Sequence, residues 1–444
     1  MELQALKTLL QNSGVVGAGG AGFPTYAKLD PRADTVLLNC AECEPLLTLH
    51  RQLLARRAPE ILSAFAAVAE TLGAKQAIVC VKAEYQATVE AVRQVLPAYP
   101  AMRLAELASV YPTGDEVVLI YEATGRVVRP GGLPIEQGVV VFNVETMFNI
   151  HRALESGAPV VDKLVTVAGA VKSPVTVRVP IGTPIGELLA MAGGAAIANP
   201  ALLVGGPMMG NLGSEAQPVT KTTNAVLVLP PDHSLVLART ASASISLKRA
   251  ASVCCQCQSC TDLCPRNALG HPIQPHLFMR AAANNDFRDA NVFLDTMFCC
   301  GCGICELYAC PQSLAPRTLI TIYKNGLRQA GIKPPQDAAF GPVKEERPFR
   351  RVPEPRLAAR TGLAPYEHPA PLDAALRPVK RVTVRFSQHI GSPAQPVVAV
   401  GEDVARGQVI GAPGKGLSVA IHAPICGRVV ACNPQFAILE RKEE

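Results

Sequence analysis

The sequence of 444 residues contains no tryptophan, 5% aromatic residues and 18% charged ones. So little charge beside 49% hydrophobic residues excludes a disordered chain and leaves a globular one with ample core-forming material. No basic run is interleaved with aromatics, and 42 Lys and Arg against 36 Asp and Glu leave a net charge of only +6, so no nucleic-acid partner is expected. The N-terminus lacks the basic segment, apolar core and small-residue cleavage site of a secretory leader, which makes a cytoplasmic location the expectation. The longest uncharged run, Leu188 to Ser214, could cross a bilayer in length, but Gly193, Gly194, Pro200, Gly205, Gly206, Pro207 and Gly210 interrupt it. It reads as loops and short elements, so no transmembrane segment is expected. The chain is about three times the usual domain length, which predicts two to four packed units.

Cysteine, by contrast, is plentiful. Fifteen cysteines in a reducing compartment point to metal rather than disulfides. Cys254, Cys257, Cys260 and Cys264 are spaced C-x2-C-x2-C-x3-C and followed by Pro265, while Cys299, Cys302, Cys305 and Cys310 form C-x2-C-x2-C-x4-C followed by Pro311. The x2 spacing wraps a loop round a cubane, and the fourth cysteine begins a helix and reaches the other cluster. Two [4Fe–4S] clusters follow, one on Cys254, Cys257, Cys260 and Cys310, the other on Cys299, Cys302, Cys305 and Cys264. Zinc sites also use C-x2-C, but usually as two pairs without the C-P ending. The x4 gap before Cys310 departs by one residue from the pattern. Cys255 and Cys300 sit beside ligands and read as spares, and the isolated Cys80, Cys426 and Cys432 read as small packed hydrophobes.

Near the start, Gly17, Gly19 and Gly22 satisfy G-x-G-x-x-G, but a helical pattern over Glu2 to Gln11 precedes them where a dinucleotide fingerprint needs a strand. The run is either an ordinary turn or a backbone loop brought close to a phosphate or flat ring, with Lys28 as a counter-charge. An apolar strand, Thr35 to Asn39, runs into Cys40-Ala41-Glu42-Cys43-Glu44-Pro45, placing Asn39 and two carboxylates at a strand's carboxyl end, either as ligand-facing groups or as exposed turn residues. Tyr111-Pro112-Thr113-Gly114-Asp115-Glu116 and Phe142-Asn143-Val144-Glu145-Thr146 follow.

Taken in order, GAGGAGFPTYAK, NCAECEP, YPTGDE and FNVET resemble the flavin-binding motifs of the FMN subunit of respiratory complex I and, more closely, of the Rnf complex's C component. The resemblance implies a noncovalent FMN reduced by NADH, with Gly17, Gly19, Gly20, Lys28, Asn39, Glu42, Glu44, Tyr111, Gly114, Glu116 and Asn143 at flavin-lining positions. Where the complex I pattern has an acidic residue this chain has Ala41, which sets apart its nicotinamide side.

The fold class expected is multidomain α/β and α+β. Helical stretches (Pro59 to Leu72, Tyr85 to Leu96) alternate with strands (Ala77 to Val81, Val139 to Asn143), giving an FMN- and NADH-binding α/β domain over 1–160. The segment 161–245, with a hairpin from Leu164 to Pro180, a helix from Ile185 to Met191 and a strand from Ala225 to Pro230, resembles the β-grasp (SLBB) module of both families, as a spacer or a ligand site. A ferredoxin-like helical module carrying both cysteine sets spans 246–333, and a Pro- and Arg-rich linker spans 334–380. Residues 381–444 resemble a barrel-sandwich hybrid without an attachment lysine, structural or partner-binding in role. In the Rnf protein that module lies at the front of the chain; its place at the back resembles the cobalamin-reductase family of propanediol-utilisation bacterial microcompartments.

A hydride donor delivers two electrons to a flavin, whereas iron–sulfur clusters accept one at a time, so such a chain is a two-electron to one-electron transformer. The resemblance implies an enzyme passing electrons from NADH through FMN and both clusters to a corrinoid, reducing cob(III)alamin towards cob(I)alamin for an adenosylcobalamin-dependent diol dehydratase. It implies a location in a microcompartment, with an adenosyltransferase and shell proteins as neighbours. No D-x-H-x-x-G run supplies a histidine to cobalt. The alternative is an Rnf-type relay protein handing electrons to protein partners of a membrane complex.

Overall fold

The computed structural model describes residues 1–442. Its first layer contains β1 (Thr35–Cys40), β2 (Gln76–Lys82), β3 (Met102–Leu107), β4 (Val110–Tyr111) and β5 (Val139–Asn143). Four of them form a parallel sheet in the order β3-β2-β1-β5. Its strands are apolar on both faces, as a sheet covered by helices on both sides requires. Val36 and Leu38 enter the core beneath the Leu49–Arg56, Ala58–Leu72 and Val144–Ser156 helices, while Leu37 and Val141 point the other way, towards Glu116–Thr124. Strand register sets Asn39 beside Asn143, so the carboxyl ends of β1 and β5 open together.

Two side chains start the helices that border this opening. Asp115 caps Glu116–Thr124 by accepting from the amides of Val117 and Val118, both at 3.1 Å. Asn143 caps Val144–Ser156 by accepting from Glu145 N at 2.9 Å and Thr146 N at 3.4 Å. Each bond satisfies a helix-end donor that would otherwise lack a partner.

The next unit has β6 (Asp162–Gly169), β7 (Val175–Pro180), β8 (Ala201–Val204), β9 (Asn211–Gly213) and β10 (Ala225–Leu229), with the Ile185–Met191 helix packed on them. The β6–β7 hairpin and that helix match the sequence pattern closely. The uncharged run 188–214 is broken into the end of this helix, β8 and β9, and no described helix is long and apolar enough to cross a membrane. Residues 234–329 are helical, ending in the amphipathic Pro316–Gln329 helix.

The segment 334–380 differs from the expected linker. Its β11 (Val352–Pro353) pairs with β4, the Glu354–Arg360 helix follows, and β12 (Leu372–Leu376) joins β7 in parallel, completing a six-stranded sheet in the order β12-β7-β6-β10-β8-β9. The arginines that suggested a solvated linker are anchors. Arg350 pairs with Asp262 at 2.8 Å, and Arg347 with Glu122. Long-range pairing of this kind has no local periodicity to announce it.

The C-terminal unit contains β13 (Arg381–Arg385), β14 (Gln395–Pro396), β15 (Asp403–Val404), β16 (Val409–Ala412), β17 (Ile421–His422), β18 (Gly427–Cys432) and β19 (Phe436–Glu440). They form two sheets, β13-β19-β18-β15 and β14-β16-β17, round a core that includes Val382, Val384, Phe386 and Leu439. This unit packs on the N-terminus: Gln11 Nε2 donates to Ser418 O at 3.1 Å, and Ala420 N donates to Gln11 O at 3.1 Å. Buried Lys221 joins three units by donating to Gly14 O at 2.6 Å and Ala420 O at 3.3 Å. Of the isolated cysteines Cys80 is buried and Cys432 half-buried, but Cys426 is exposed, contrary to its reading as a packed hydrophobe.

Candidate functional site

A cavity of about 620 Å³ opens at the carboxyl ends of β1 and β5. The glycine loop forms one wall. Gly17 N donates to Phe23 O at 2.9 Å, closing the loop on itself, and Ala18 N donates to Thr146 Oγ1 at 2.9 Å, pinning it to the helix that Asn143 caps. A Cβ on Gly19 would stand 3.3 Å from Asn143 Nδ2, and Gly20 has φ of +71°, so the loop's approach needs the missing side chains. Asn39 staples a second wall, its Nδ2 donating to Gly114 O at 3.0 Å and its Oδ1 accepting from Ala41 N at 3.0 Å. Gly114 packs against Ala41 O too closely to admit a Cβ.

All the residues proposed from the motifs line this one cavity: Gly17, Gly19, Gly20, Lys28, Asn39, Glu42, Glu44, Tyr111, Gly114, Glu116 and Asn143. Glu42 and Glu44 are not exposed turn carboxylates. Glu42 is 8% exposed, and its Oε1 accepts from His50 N at 3.2 Å. Glu44 accepts from Met208 N at 2.7 Å and Met209 N at 3.1 Å, and burial pushes its carboxyl up to about 7 despite those donors. Lys28 donates to Glu116 Oε1 at 2.8 Å and Val141 O at 3.2 Å, so its charge is already shared with a carboxylate.

Other lining residues lay beyond the motifs. His50, Met209, Asn224, Cys300, Cys302 and Ile390 come from the helix after β1 and from the second, third and C-terminal units. Glu42 Oε2, His50 Nε2 and Asn224 Oδ1 are buried without a hydrogen-bond partner. Three orphaned polar atoms on the lining of a largely apolar cavity call for a ligand with a polar-edged flat body, and the volume lies in the range of cofactor sites. The donor set therefore fits FMN.

The cysteines fall into two groups. Cys254, Cys257, Cys260 and Cys310 line a separate small cavity with Gln256 and His276. In the other group, Cys264 and Cys299, with Cys300 beside them, and Cys302 and Cys305 crowd one another electrostatically. Burial, reinforced by neighbouring cysteines, pushes Cys260 and Cys264 up to about 12. Iron would displace those protons, since a coordinating thiol is deprotonated. The two loops share a backbone: Gln256 and Gln258 have φ of +53° and +63°, and at the equivalent places Gly301 and Gly303 have +75° and +81°. No three described His, Cys, Asp or Glu side chains converge on a single-ion site. A cubane spreads its thiolates over four irons and needs no such convergence.

Cys264 caps the short Pro265–Ala268 helix, as the spacing predicts. Cys310 does not begin a helix: a turn intervenes and the next helix starts at Pro316, which accommodates the extra residue of the x4 gap. Cys255 is exposed, but Cys300 is no idle spare, because it lines the main cavity and is hydrogen-bonded to Cys302. Tyr111 Oη donates to Cys302 O at 2.6 Å, and Arg266 pairs with Asp115 at 2.9 Å. These contacts press the second cysteine group against the cavity wall.

The comparisons with known proteins agree with this layout. Residues 10–152 match the model of the Nuo51 FMN-binding domain, 164–212 an SLBB domain, 253–315 a 4Fe-4S dicluster domain and 368–443 the RnfC barrel sandwich hybrid domain. The chain is 41% identical over 436 residues to the cobalamin reductase PduS of Citrobacter freundii, covering 98% of this chain and 96% of that one. It is also 41% identical over 438 residues to the cobalamin reductase PduS of Salmonella typhimurium, with the same coverage. The RnfC-type component of the Na(+)-translocating ferredoxin:NAD(+) oxidoreductase complex of Acetobacterium woodii is 33% identical over 271 residues, 60% of this chain and 58% of that one. Among solved structures, the air-oxidized NAD+-reducing [NiFe]-hydrogenase shares the fold, with a TM-score of 0.50 and 24% identity over 83% of this chain and 68% of that one.

Proposed function

This chain belongs to the cobalamin reductase PduS family, and from that premise we propose that it is a flavin and iron–sulfur oxidoreductase carrying electrons from NADH to a corrinoid, reducing cob(III)alamin towards cob(I)alamin. The observation that carries the reading is the joining of the two sites: the cavity fitted to FMN has Cys300 and Cys302 in its own wall. The Rnf-type alternative has less support, since the Acetobacterium protein matches 60% of this chain whereas the PduS relatives match 98%.

When bound, FMN takes up the two electrons of a hydride and iron–sulfur clusters pass them singly. The protein's part is positional. Gly17, Gly19 and Gly20 bring backbone amides to the ligand, and Asn39 and Asn143 hold two loop ends in register. Glu44, pinned by Met208 and Met209, locks the second unit against the cavity and excludes water there. Cys254, Cys257, Cys260 and Cys310 would hold one cluster, and Cys264, Cys299, Cys302 and Cys305 the other, the latter adjoining the flavin cavity through Cys302. Entry through that second set, exit through the first, follows from this placement. The family further supports a cytoplasmic protein housed in a microcompartment, working beside an adenosyltransferase and shell proteins.

Anaerobically prepared protein should hold about eight iron and eight sulfide per chain, the complement of two cubanes, with one releasable FMN, and should reduce cob(III)alamin with NADH. Stoichiometric zinc without labile sulfide would sink the iron–sulfur assignment. Reduced clusters with no transfer to the corrinoid would leave an electron relay of another acceptor.

A further inference from the structure

His50 plays no part in the motifs, yet it occupies an unusual place in the cavity wall. Its side chain is 9% exposed and lies between two buried carboxylates, Nδ1 3.7 Å from Glu42 Oε1 and Nε2 3.9 Å from Glu145 Oε2. Glu145 is also paired with buried Lys163. Burial alone would push the Glu145 carboxyl up, but Lys163 and then His50 outweigh it and hold it below the ordinary carboxylate range. Lys163 is thus committed to Glu145, and among the described residues His50 is the one cationic partner within ion-pair distance of Glu42. Two carboxylates and one ammonium leave this pocket one positive charge short. A proton on His50 supplies it.

The surroundings also fix which nitrogen is open. Asn143 Oδ1 is occupied as a helix cap, so its Nδ2 is the end that faces His50 Nδ1, at 3.4 Å, and it can only donate. In the neutral ring Nδ1 is then the acceptor, on the side of Glu42, and the hydrogen sits on Nε2, facing Glu145.

We infer that His50 is the acceptor of the proton left behind when electrons leave the flavin singly. The inference rests on the flavin reading above. A hydride from NADH brings two electrons and one proton as a new N–H bond. When that bond breaks, the two electrons pass one after the other to the clusters, and onward to the corrinoid as oxidant, while the proton goes to His50 Nδ1. Glu42 and Glu145 then flank an imidazolium in place of a neutral ring, and the proton is later released to solvent. A general base so placed needs a position at the cavity wall and a counter-charge on each side, and His50 has both.

The test uses the FMN-loaded, cluster-loaded protein under anaerobic conditions. In stopped flow with NADH, His50→Gln should slow flavin reoxidation by the clusters about tenfold more than it slows flavin reduction, the low side of what a positioned base contributes. Redox-difference infrared spectra should show a histidine ring band that shifts on 15N-histidine labelling and is absent in the variant. Equal slowing of both phases, or an unchanged histidine band in His50→Gln, would overturn the inference. Should the variant lose FMN, the unmodified protein decides: reoxidation slowed in D2O with reduction unaffected supports the assignment, and an absent solvent isotope effect on reoxidation overturns it. Failure of NADH to bleach the bound flavin at all would instead overturn the donor reading and the inference with it, and the missing first phase tells the two failures apart.

Discussion

Glu44 leaves the end of β1 and is met by two amides of the neighbouring unit, so one carboxylate both lines the flavin cavity and fastens a joint. Its titration should be visible in stability. Folded, it keeps its proton up to about 7 because burial raises it; unfolded, only to the ordinary 4.5. The folded state therefore binds the extra proton between these values, and stability falls as pH rises through that window. Urea unfolding of the apoprotein should show that decline from about 4.5 to about 7, and Glu44→Gln should remove it; the same slope in both proteins would place the titrating group elsewhere. Glu42 poses a separate question, since its Oε2 is buried without a partner. Glu42→Gln should retain both clusters but weaken FMN binding or slow its reduction by NADH at least about tenfold, a barrier change of about 1.4 kcal/mol. Wild-type FMN content with a wild-type reduction rate would remove Glu42 from the flavin's surroundings.

At the scale of elements, the two cysteine loops show a sequence pattern turned into a backbone. Left-handed residues recur at equivalent steps, as glutamine in one loop and glycine in the other, which tells us that the turn belongs to the cysteine array and not to glycine. An alanine at Gly301 would meet no atom within 4 Å, so Gly301→Ala tests backbone strain alone, about 1–2 kcal/mol for a left-handed residue. Iron analysis should show poorer loading of that loop's cluster; undiminished iron would mean that the loop relaxes. Cys257→Ser should abolish the other cluster's electron paramagnetic signal while FMN stays bound, because its cavity is separate; equal loss of flavin would show the two sites to be coupled. These loops, the strand ends at Asn39 and Asn143 and the β6–β7 hairpin were legible because spacing, capping and alternation are local. His50 and Cys300 were not, since each acquires its setting from partners far along the chain. The same holds for β12, whose short Pro-flanked stretch becomes a strand only when β7 offers it an edge.

Across the whole molecule, the flavin cavity is an assembly of every unit, down to Ile390 of the C-terminal one. The segment 334–380 runs back over the earlier units and holds them, through β11 on β4, β12 on β7 and the buried Lys82–Glu354 pair. The C-terminal unit, however, docks against the very beginning of the chain, where Gln11, Gly14 and Lys221 receive Ser418 and Ala420. A dock that lies beside the opposite terminus can be reached from either direction of the polypeptide. Transferring residues 381–442 ahead of Met1 on a flexible tether would keep the same interface while changing only the covalent path, at an entropy cost that grows slowly with tether length. Such a circular permutant should still bind FMN and both clusters; if it does not, the order of units is itself a requirement of folding. If it does, gene rearrangement could carry this unit from one end of a redox protein to the other without rebuilding the electron path.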